Sequence, residues 1–207
     1  MEYLKQEFDA YAAECECALR IVLASIENLS QEMDIVYERN PFSAVASRLK
    51  KFESAIEKCE RKYGAATRPN LRRLHDVAGV RIITHFEDDI YAIRDALMSV
   101  PAFKVVEESD YVTHPKANGY RSLHLIVNVH IYLMGIARVV PVEIQIRDKA
   151  MDLWASIEHV VNYKHPNPSP ETIEQFKYIA DILQRFDERA MRLRDEADFE
   201  ERESKGK

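Results

Sequence analysis

The segment SLHLIVNVHIYL, residues 122–133, alternates between apolar and polar side chains along nearly its whole length. Leucine, valine and isoleucine fill every odd-numbered position from 123 to 133. The opposite face carries Ser122, His124, Asn128, His130 and Tyr132. A repeat of two residues is typical of a β-strand that buries one of its faces, so this segment predicts such a strand.

Other segments complete the predicted fold. An alternating segment at 139–147, the apolar run VAGVRIIT at 77–84 and a shorter segment at 103–107 predict three more strands. Helical spacing of apolar residues predicts helices at roughly 4–29, 47–63, 88–98 and 149–164, and from 171 to the end. This order predicts an α+β fold with a mixed, mostly antiparallel sheet and a long helix at each end. The expected domains are an N-terminal helical segment, a core and a C-terminal helical segment, at 1–40, 41–165 and 166–207.

The composition is that of an ordinary globular protein, since 46% of the 207 residues are hydrophobic and 31% are charged. No apolar run approaches the roughly 18 residues that a membrane span needs. The start, MEYLKQEFD, lacks the profile of a signal peptide. We therefore expect a cytoplasmic protein that has no membrane partner.

Charge is distributed unevenly along a chain whose formal net charge is -6. Residues 1–40 hold 3 basic and 9 acidic side chains, whereas residues 41–81 hold 10 basic and 4 acidic ones, a local net of +6. A basic island between acidic flanks favours a local anion site over a broad nucleic-acid surface. No stable complex with nucleic acid is expected.

The predicted helix at 47–63 gathers part of this basic charge on one face. At about 100° per residue, one arc carries Lys50, Ser54, Lys58 and Arg61, and the opposite arc is apolar. A row of cations suits a triphosphate, because each positive group neutralises one phosphate in turn. A solvated face with internal ion pairs is the alternative, and for this helix taken alone it is the better explanation.

Asp76 and Glu143 are the two carboxylates best placed by pattern to converge on one face of the sheet. Asp76 stands at the entry to an apolar strand, and Glu143 shares the polar side of its strand with Gln145 and Arg147. Mg²⁺ in nucleotide enzymes is commonly held by one or two carboxylates together with substrate phosphates. A solvent-facing side chain or a helix cap remains the alternative for either acid.

The segment HPKANGYRSLH, residues 114–124, crowds charged and aromatic groups around a turn. Asn118–Gly119 is a strong hairpin signal, so part of the segment has a purely structural explanation. Two cations, an aromatic ring and an imidazole surround this turn: Lys116, Arg121, Tyr120 and His124. A ring beside cations suits a nucleotide, because the ring stacks on the base while the cations hold phosphate. Core packing is the alternative for the tyrosine.

Five motifs occur together in a fixed order: RLKKFESAIEK (48–58), DVAGVRI (76–82), PKANGYRSLH (115–124), VEIQIR (142–147) and WASIEHVVNYK (154–164). They closely resemble the synthetase domain of the RelA/SpoT family, and the length is similar to that of its stand-alone small alarmone synthetases. The resemblance covers roughly residues 41–165. It implies a nucleotidyltransferase-like fold and pyrophosphate transfer from ATP to the 3′-OH of GDP or GTP. The products would be AMP and ppGpp or pppGpp, the alarmones of the stringent response.

The resemblance also implies roles for individual residues. The ATP phosphates would be bound by Lys50, Ser54, Lys58 and Arg61, and adenine would lie between Arg48 and Arg81. The acceptor pocket would comprise Lys116, Asn118, Tyr120, His124, Gln145 and Ala155, with the tyrosine stacked on guanine. Asp76 would bind Mg²⁺, and Glu143 would help to hold the metal and activate the 3′-OH. Arg121 matches its motif without an assigned role.

Ser47 and Asp148 depart from the family pattern, in which Gly and Thr are common at these positions. Family members form symmetric oligomers, so the resemblance implies a homo-oligomer, with a tetramer as the expected state. Two alternatives stay open. One is a toxin-type relative that pyrophosphorylates adenosine nucleotides or tRNA 3′ ends, and the other is a non-catalytic nucleotide- or RNA-binding module.

Overall fold

The structure is a computed structural model that describes residues 1–37, 39–164 and 168–205. The helices are α1 (Glu2–Tyr37), α2 (Phe52–Tyr63), α3 (Arg68–Arg72), α4 (Glu87–Met98), α5 (Lys149–Lys164) and α6 (Pro170–Lys205). The strands are β1 (Phe42–Leu49), β2 (Ala78–Thr84), β3 (Phe103–Asp110), β4 (Leu123–Leu133) and β5 (Ile136–Asp148). The expected boundary between 165 and 166 lies outside the described residues.

The five strands form one mixed sheet in the order β1-β2-β5-β4-β3. Strand β2 runs parallel to β5, and the other neighbouring pairs are antiparallel. A hairpin joins β4 to β5 directly through Met134 and Gly135, which both have positive φ. The predicted α+β architecture with a mostly antiparallel sheet and a long helix at each end is confirmed.

The core lies between α1 and one face of the sheet. The apolar stripe of α1 is buried from Phe8 to Met33, and it packs with the inward-facing residues of the strands. The odd-numbered face of β4 is buried from Leu123 to Ile131, as its alternation predicts. Because one face of the sheet is covered in this way, the polar side chains of β2, β4 and β5 lie on the other face.

The prediction of one helix over 47–63 is wrong at its start. Residues Phe42–Leu49 form β1, which pairs with β2 from Phe42↔Thr84 to Leu49↔Ala78. The backbone N–H of Lys50 donates to the Val77 carbonyl at 2.8 Å, so the chain is still extended before α2 begins. Strand β1 is an edge strand with an exposed run of small residues, and such a run lacks the alternation that identifies a half-buried strand. Lys50 therefore belongs to the connection between β1 and α2.

Helix α6 packs on α5, and the buried indole Nε1 of Trp154 donates to the Phe176 carbonyl at 2.9 Å. The C-terminal half of α6 contacts α4 through Arg194, whose Nη1 lies 2.8 Å from Asp88 Oδ1. The repeated apolar residues of α6 predict one docked face, and Phe176 is buried accordingly, but Phe186 is 63% exposed. Only part of that face is therefore covered. Among the described residues, no helix is both long and apolar enough to cross a bilayer.

Candidate active site

Strand register determines which side chains meet on the polar face of the sheet. Parallel pairing of β2 with β5 sets Gly79 opposite Glu143 and Arg81 opposite Gln145. On the other side of β5, antiparallel pairing with β4 sets His124 opposite Gln145. Because alternate side chains of a strand point to the same face, the four polar side chains gather in one cleft.

A cavity of about 150 Å³ in this cleft is flanked by Arg48 from β1 and Arg81 from β2. The Arg48 side chain lies over Gly79, where an added Cβ atom would be 3.8 Å away, an ordinary van der Waals distance. Burial lowers the pKa of Arg81, and the charge of Arg147 acts in the same direction. Two guanidinium groups beside a cavity suit a planar base, because guanidinium stacks on aromatic faces.

Two lysines, both predicted to bind phosphate, pair with Asp76 in the cleft. Its Oδ2 lies 2.9 Å from the ammonium of Lys50 and 2.7 Å from that of Lys58. Burial raises the pKa of Asp76, but the hydrogen bonds from Lys58 and Lys50 outweigh burial and hold the pKa below its ordinary value. The carboxylate is therefore ionised at neutral pH. Its buried Oδ1 has no hydrogen-bond partner within the described parts of the chain.

Glu143 is held in the middle of the cleft by two neighbours. Gln145 donates from Nε2 to one of its oxygens at 2.9 Å, and His124 Nδ1 lies 3.5 Å from the other. Burial raises the pKa of Glu143, whereas its interactions with His124 and Gln145 lower it by more, so the pKa lies below its ordinary value. An ionised carboxylate is able to accept a proton from a bound hydroxyl group.

Asp76 and Glu143 line the same cavity, of about 190 Å³, together with Lys58 and Lys62. Carboxylate oxygens are the ligands that Mg²⁺ prefers, and the unpartnered Oδ1 of Asp76 is an oxygen available to a cation. These residues therefore fit a divalent ion that is held by one or two carboxylates and by phosphate.

Tyr120 is the centre of an aromatic and cationic cluster beside these carboxylates. Its hydroxyl lies 2.8 Å from His124 Nε2 and accepts a hydrogen bond of 2.7 Å from Arg147. The Lys116 ammonium lies over the tyrosine ring, 4.8 Å from its centroid. A base that stacks on this ring therefore competes with Lys116 for it. Asn118 orders the turn, because its side-chain oxygen accepts from the Tyr120 backbone N–H at 3.2 Å.

The third cavity, of about 470 Å³, lies between the sheet and α5. Its lining includes the predicted ATP-binding residues Arg48 and Arg81. It also includes three predicted acceptor-binding residues: Tyr120, Gln145 and Ala155. A cavity of this volume lies in the range typical of small-molecule sites. The side chains that the resemblance assigns to two nucleotides thus meet around one space.

Not every candidate residue lines these cavities. Ser54 and Arg61 are exposed on α2, and their roles in phosphate binding stay predictions. Among the lining residues of the 470 Å³ cavity that had no predicted role are one cation and two acids: Arg147, Asp152 and Glu158. Alternation in VEIQIR already placed the arginine on the polar face, but no pattern in the sequence pointed to the two acids of α5.

Residues 47–168, more than half of the chain, match the family described as a region found in RelA / SpoT proteins. The GTP pyrophosphokinase YwaC of Bacillus subtilis is 38% identical over 200 residues, which cover 96% of this chain and 93% of the relative.

Solved structures show the same likeness. Small alarmone synthetase 1 of Bacillus subtilis, bound to its product pppGpp, superposes with a TM-score of 0.85 and is 29% identical. The match covers 92% of this chain and 98% of that one. Small alarmone synthetase 2 of the same organism has a TM-score of 0.80 and 37% identity, covering 93% and 98%.

Proposed function

Because the chain belongs to the RelA/SpoT family, we propose that it is an alarmone synthetase, a GTP pyrophosphokinase that acts in the stringent response. Its donor is ATP, its acceptor is GDP or GTP, and its products are AMP and ppGpp or pppGpp. The observation that carries this proposal is the cavity shared by Asp76 and Glu143, where two ionised carboxylates lie beside the lysine ammonium groups.

The transfer needs no covalent bond to the protein. The 3′-oxygen of the acceptor forms a bond to the β-phosphorus of ATP, the bond from that phosphorus to the bridging oxygen of AMP breaks, and AMP leaves. Glu143 takes the proton of the 3′-OH. Lys50 and Lys58, which neutralise Asp76 in this structure, neutralise the phosphates when ATP is bound. Mg²⁺ held by Asp76 and Glu143 would supply further charge neutralisation.

The nucleotide contacts follow the two ends of the cleft. Adenine lies between Arg48 and Arg81, and guanine stacks on Tyr120. The two arginines flank a cavity of their own and also share the 470 Å³ cavity with the tyrosine, which supports this assignment. Ser54 and Arg61 complete the phosphate site, and the acceptor pocket also takes in Lys116, Asn118, His124, Gln145 and Ala155.

The protein is further proposed to be a cytoplasmic homo-oligomer, a tetramer, without a membrane or stable nucleic-acid partner. Apolar side chains that stand exposed on α5 and α6 support self-association: Leu153, Ile157, Val160, Tyr178, Ile182 and Phe186. The synthetase core at 41–165 is proposed as one unit between two helical segments. The start of β1 at residue 42 and the end of α5 at residue 164 support this division.

Product analysis tests the activity. Pure protein is incubated with ATP, Mg²⁺ and GMP, GDP or GTP in turn, and the products are resolved by anion-exchange chromatography. We expect AMP together with ppGpp from GDP or pppGpp from GTP. Consumption of ATP without any added guanosine nucleotide, with pyrophosphate on adenosine nucleotide or tRNA, would indicate the toxin-type reaction instead. A protein that binds nucleotide without turnover would be a sensor.

A further inference from the structure

Arg147 is an almost fully buried cation, 5% exposed, at the edge of the acceptor pocket. Its Nη2 donates to the Tyr120 hydroxyl at 2.7 Å and to Gln145 Oε1 at 3.0 Å. The guanidinium carbon also lies 5.1 Å from the centroid of the tyrosine ring. A guanidinium presents its N–H donors in a rigid planar fork, so these two acceptors are held at fixed positions relative to each other.

The first arm of this network runs from Arg147 through Tyr120 to His124. The tyrosine oxygen accepts from the arginine, and the hydroxyl lies 2.8 Å from His124 Nε2, within hydrogen-bond distance. The other ring nitrogen of the histidine, Nδ1, lies 3.5 Å from Glu143 Oε1. The arm therefore ends on one oxygen of the proposed base.

The second arm runs from Arg147 through Gln145. The arginine donates to the amide oxygen of Gln145, which turns the amide nitrogen toward Glu143. That nitrogen donates to Glu143 Oε2 at 2.9 Å. Both oxygens of the carboxylate are thus contacted by chains that begin at one guanidinium: hydrogen bonds through Gln145 reach one oxygen, and the 3.5 Å contact of His124 reaches the other.

Asp152 on α5 connects this network to the ATP side. Its Oδ1 lies 3.3 Å from Arg147 Nη1 and 3.3 Å from Arg81 Nη1. The carboxylate offsets repulsion between two guanidinium groups that face different nucleotides. Arg147 is therefore neutralised from α5, and its other donors remain directed at the acceptor pocket.

We propose that Arg147 is a positioning residue for pyrophosphate transfer: it fixes the stacking surface of Tyr120 and, through Tyr120 and Gln145, the orientation of the Glu143 carboxylate. This role rests on the proposed function. It belongs to a residue that touches the residues of the site rather than the reacting atoms, and Asp152 holds it in place.

Steady-state kinetics of R147K and R147M test the role, with R138M as the matched control, because Arg138 lies on the same strand and pairs with Glu14 away from the cleft. Lysine keeps the charge but lacks the planar donors of a guanidinium, and methionine has no donor at all. Both variants should therefore lose hydrogen bonds to Tyr120 and Gln145. Because a hydrogen bond to a charged group contributes a large binding free energy, we expect KM for GDP to rise about tenfold or more. KM for ATP should change far less, and R138M should behave like the unmodified protein.

A double-mutant cycle with Y120F separates positioning from general destabilisation. If Arg147 acts through the tyrosine hydroxyl, the double variant R147K/Y120F should have nearly the GDP KM of R147K alone, because one arm is already broken. The kcat of R147K should also fall, since Glu143 loses its ordered partners. Multiplicative effects in the cycle with an unchanged kcat would overturn the proposal.

Trp154 gives a readout that needs no turnover, because it is the one tryptophan of the chain and its ring centroid lies 6.1 Å from that of Tyr120. GDP titrated without ATP should change its fluorescence, with weaker binding in R147K. Unmodified protein that neither binds GDP nor makes alarmone contradicts the proposed function itself. Active protein whose R147K form keeps its GDP KM contradicts only the role of Arg147. If R147M does not fold, R147K and Y120F decide the question.

Discussion

Asp76 and Glu143 keep their charge in a cleft that disfavours charge. Each is substantially buried, and each has a pKa below its ordinary value because cationic or hydrogen-bonding neighbours outweigh the cost of burial. The neighbours differ in kind. Asp76 is paired with two lysines, which suits its proposed position beside phosphates. Glu143 is held by His124 and Gln145, which suits its proposed role as a proton acceptor.

We expect D76N and E143Q to abolish alarmone synthesis while the fold survives, because each replacement removes the charge and keeps nearly the same volume. The loss should exceed a hundredfold, since general-base catalysis alone contributes about 10²–10⁴. E108Q is the control, because Glu108 lies on β3 and pairs with Arg94 of α4. Chromatography measures the product and thermal unfolding measures the fold. Near-normal synthesis by either variant would contradict that residue's assignment.

Another buried carboxyl group, that of Asp187 on α6, has no part in the proposed reaction. Oxygens of Asp187, Asp148 and Glu87 lie within 4.8 Å of one another, and Arg121 donates to Glu87 at 2.9 Å. Burial, together with the neighbouring Asp148, raises the pKa of Asp187 to about 8. The departure at Asp148 has a structural use as well, because its Oδ1 accepts from the Met151 N–H at the start of α5.

The raised pKa predicts a pH-dependent stability. Between the ordinary pKa of 3.8 and about 8, the folded protein holds a proton that the unfolded chain releases, so stability falls as pH rises through this window. D187N cannot lose such a proton. The unfolding temperature of the unmodified protein should therefore fall relative to that of D187N between pH 5 and 8. The expected fall is about 2–4 °C for each kcal/mol by which the free energy of unfolding decreases. Parallel curves for the two proteins would contradict this prediction.

At the scale of elements, the acceptor turn is shaped by α6. Gly119 has φ +89°, and a Cβ atom there would lie 2.8 Å from the Ala180 Cβ and 3.3 Å from the Lys177 Cα. Both the backbone conformation and the contact with the helix exclude a side chain. The C-terminal helix thus supports the loop that carries Lys116 and Tyr120.

We expect G119A to lower the free energy of unfolding by roughly 1–3 kcal/mol, because strained backbone and overpacking add. It should also raise KM for the acceptor, since the loop must move away from α6. The control is G135A, where φ is +78° but no atom lies within 4 Å of the added Cβ. Denaturant unfolding and steady-state kinetics of both variants make the comparison. Equal losses in the two would mean that the contact with α6 contributes nothing.

The sequence predicts those helices and strands that bury one regular face, because their apolar residues then recur at the period of the element. The stripe of α1 and the alternation of β4 identify both elements, since each buries one regular face. β1 escaped prediction because an exposed edge strand of small residues has no such face. Lys50 reaches Asp76 all the same, from an extended connection rather than a helix. The link through Asp152 depends on how α5 sits against the sheet, which local pattern does not encode.

At the scale of the whole molecule, the acidic surplus and the basic island meet at α1 but differ at the cleft. The acidic residues of 1–40 lie mainly along α1, on the covered side of the sheet, where Glu7 and Glu14 pair with Arg68 and Arg72. Lys50 and Lys58 of the basic island lie instead at Asp76 in the cleft. A net charge of -6 is therefore compatible with a local site for polyphosphate.

The exposed apolar residues of α5 and α6 predict self-association. We expect light scattering to give a mass that is a multiple of 24.1 kDa, and four times that value for the proposed tetramer. L153D and I182D should shift the protein toward monomer, because a charge in an apolar interface is costly. M134D is the control, since Met134 is fully exposed at the tip of the hairpin. A monomer at micromolar concentration would contradict the proposal.

The parallel pairing of β2 with β5 has a consequence for biosynthesis. Glu143 lies opposite Gly79 only after the intervening chain, including α4 and the β3–β4 pair, has been made. Contacts this distant in sequence form late and slowly. A nascent chain that has emerged only as far as β4 carries the lysines and Asp76 but not Glu143, the proposed base. We therefore expect the emerging polypeptide to be inactive, and alarmone synthesis to start only when translation has passed the last strand of the sheet.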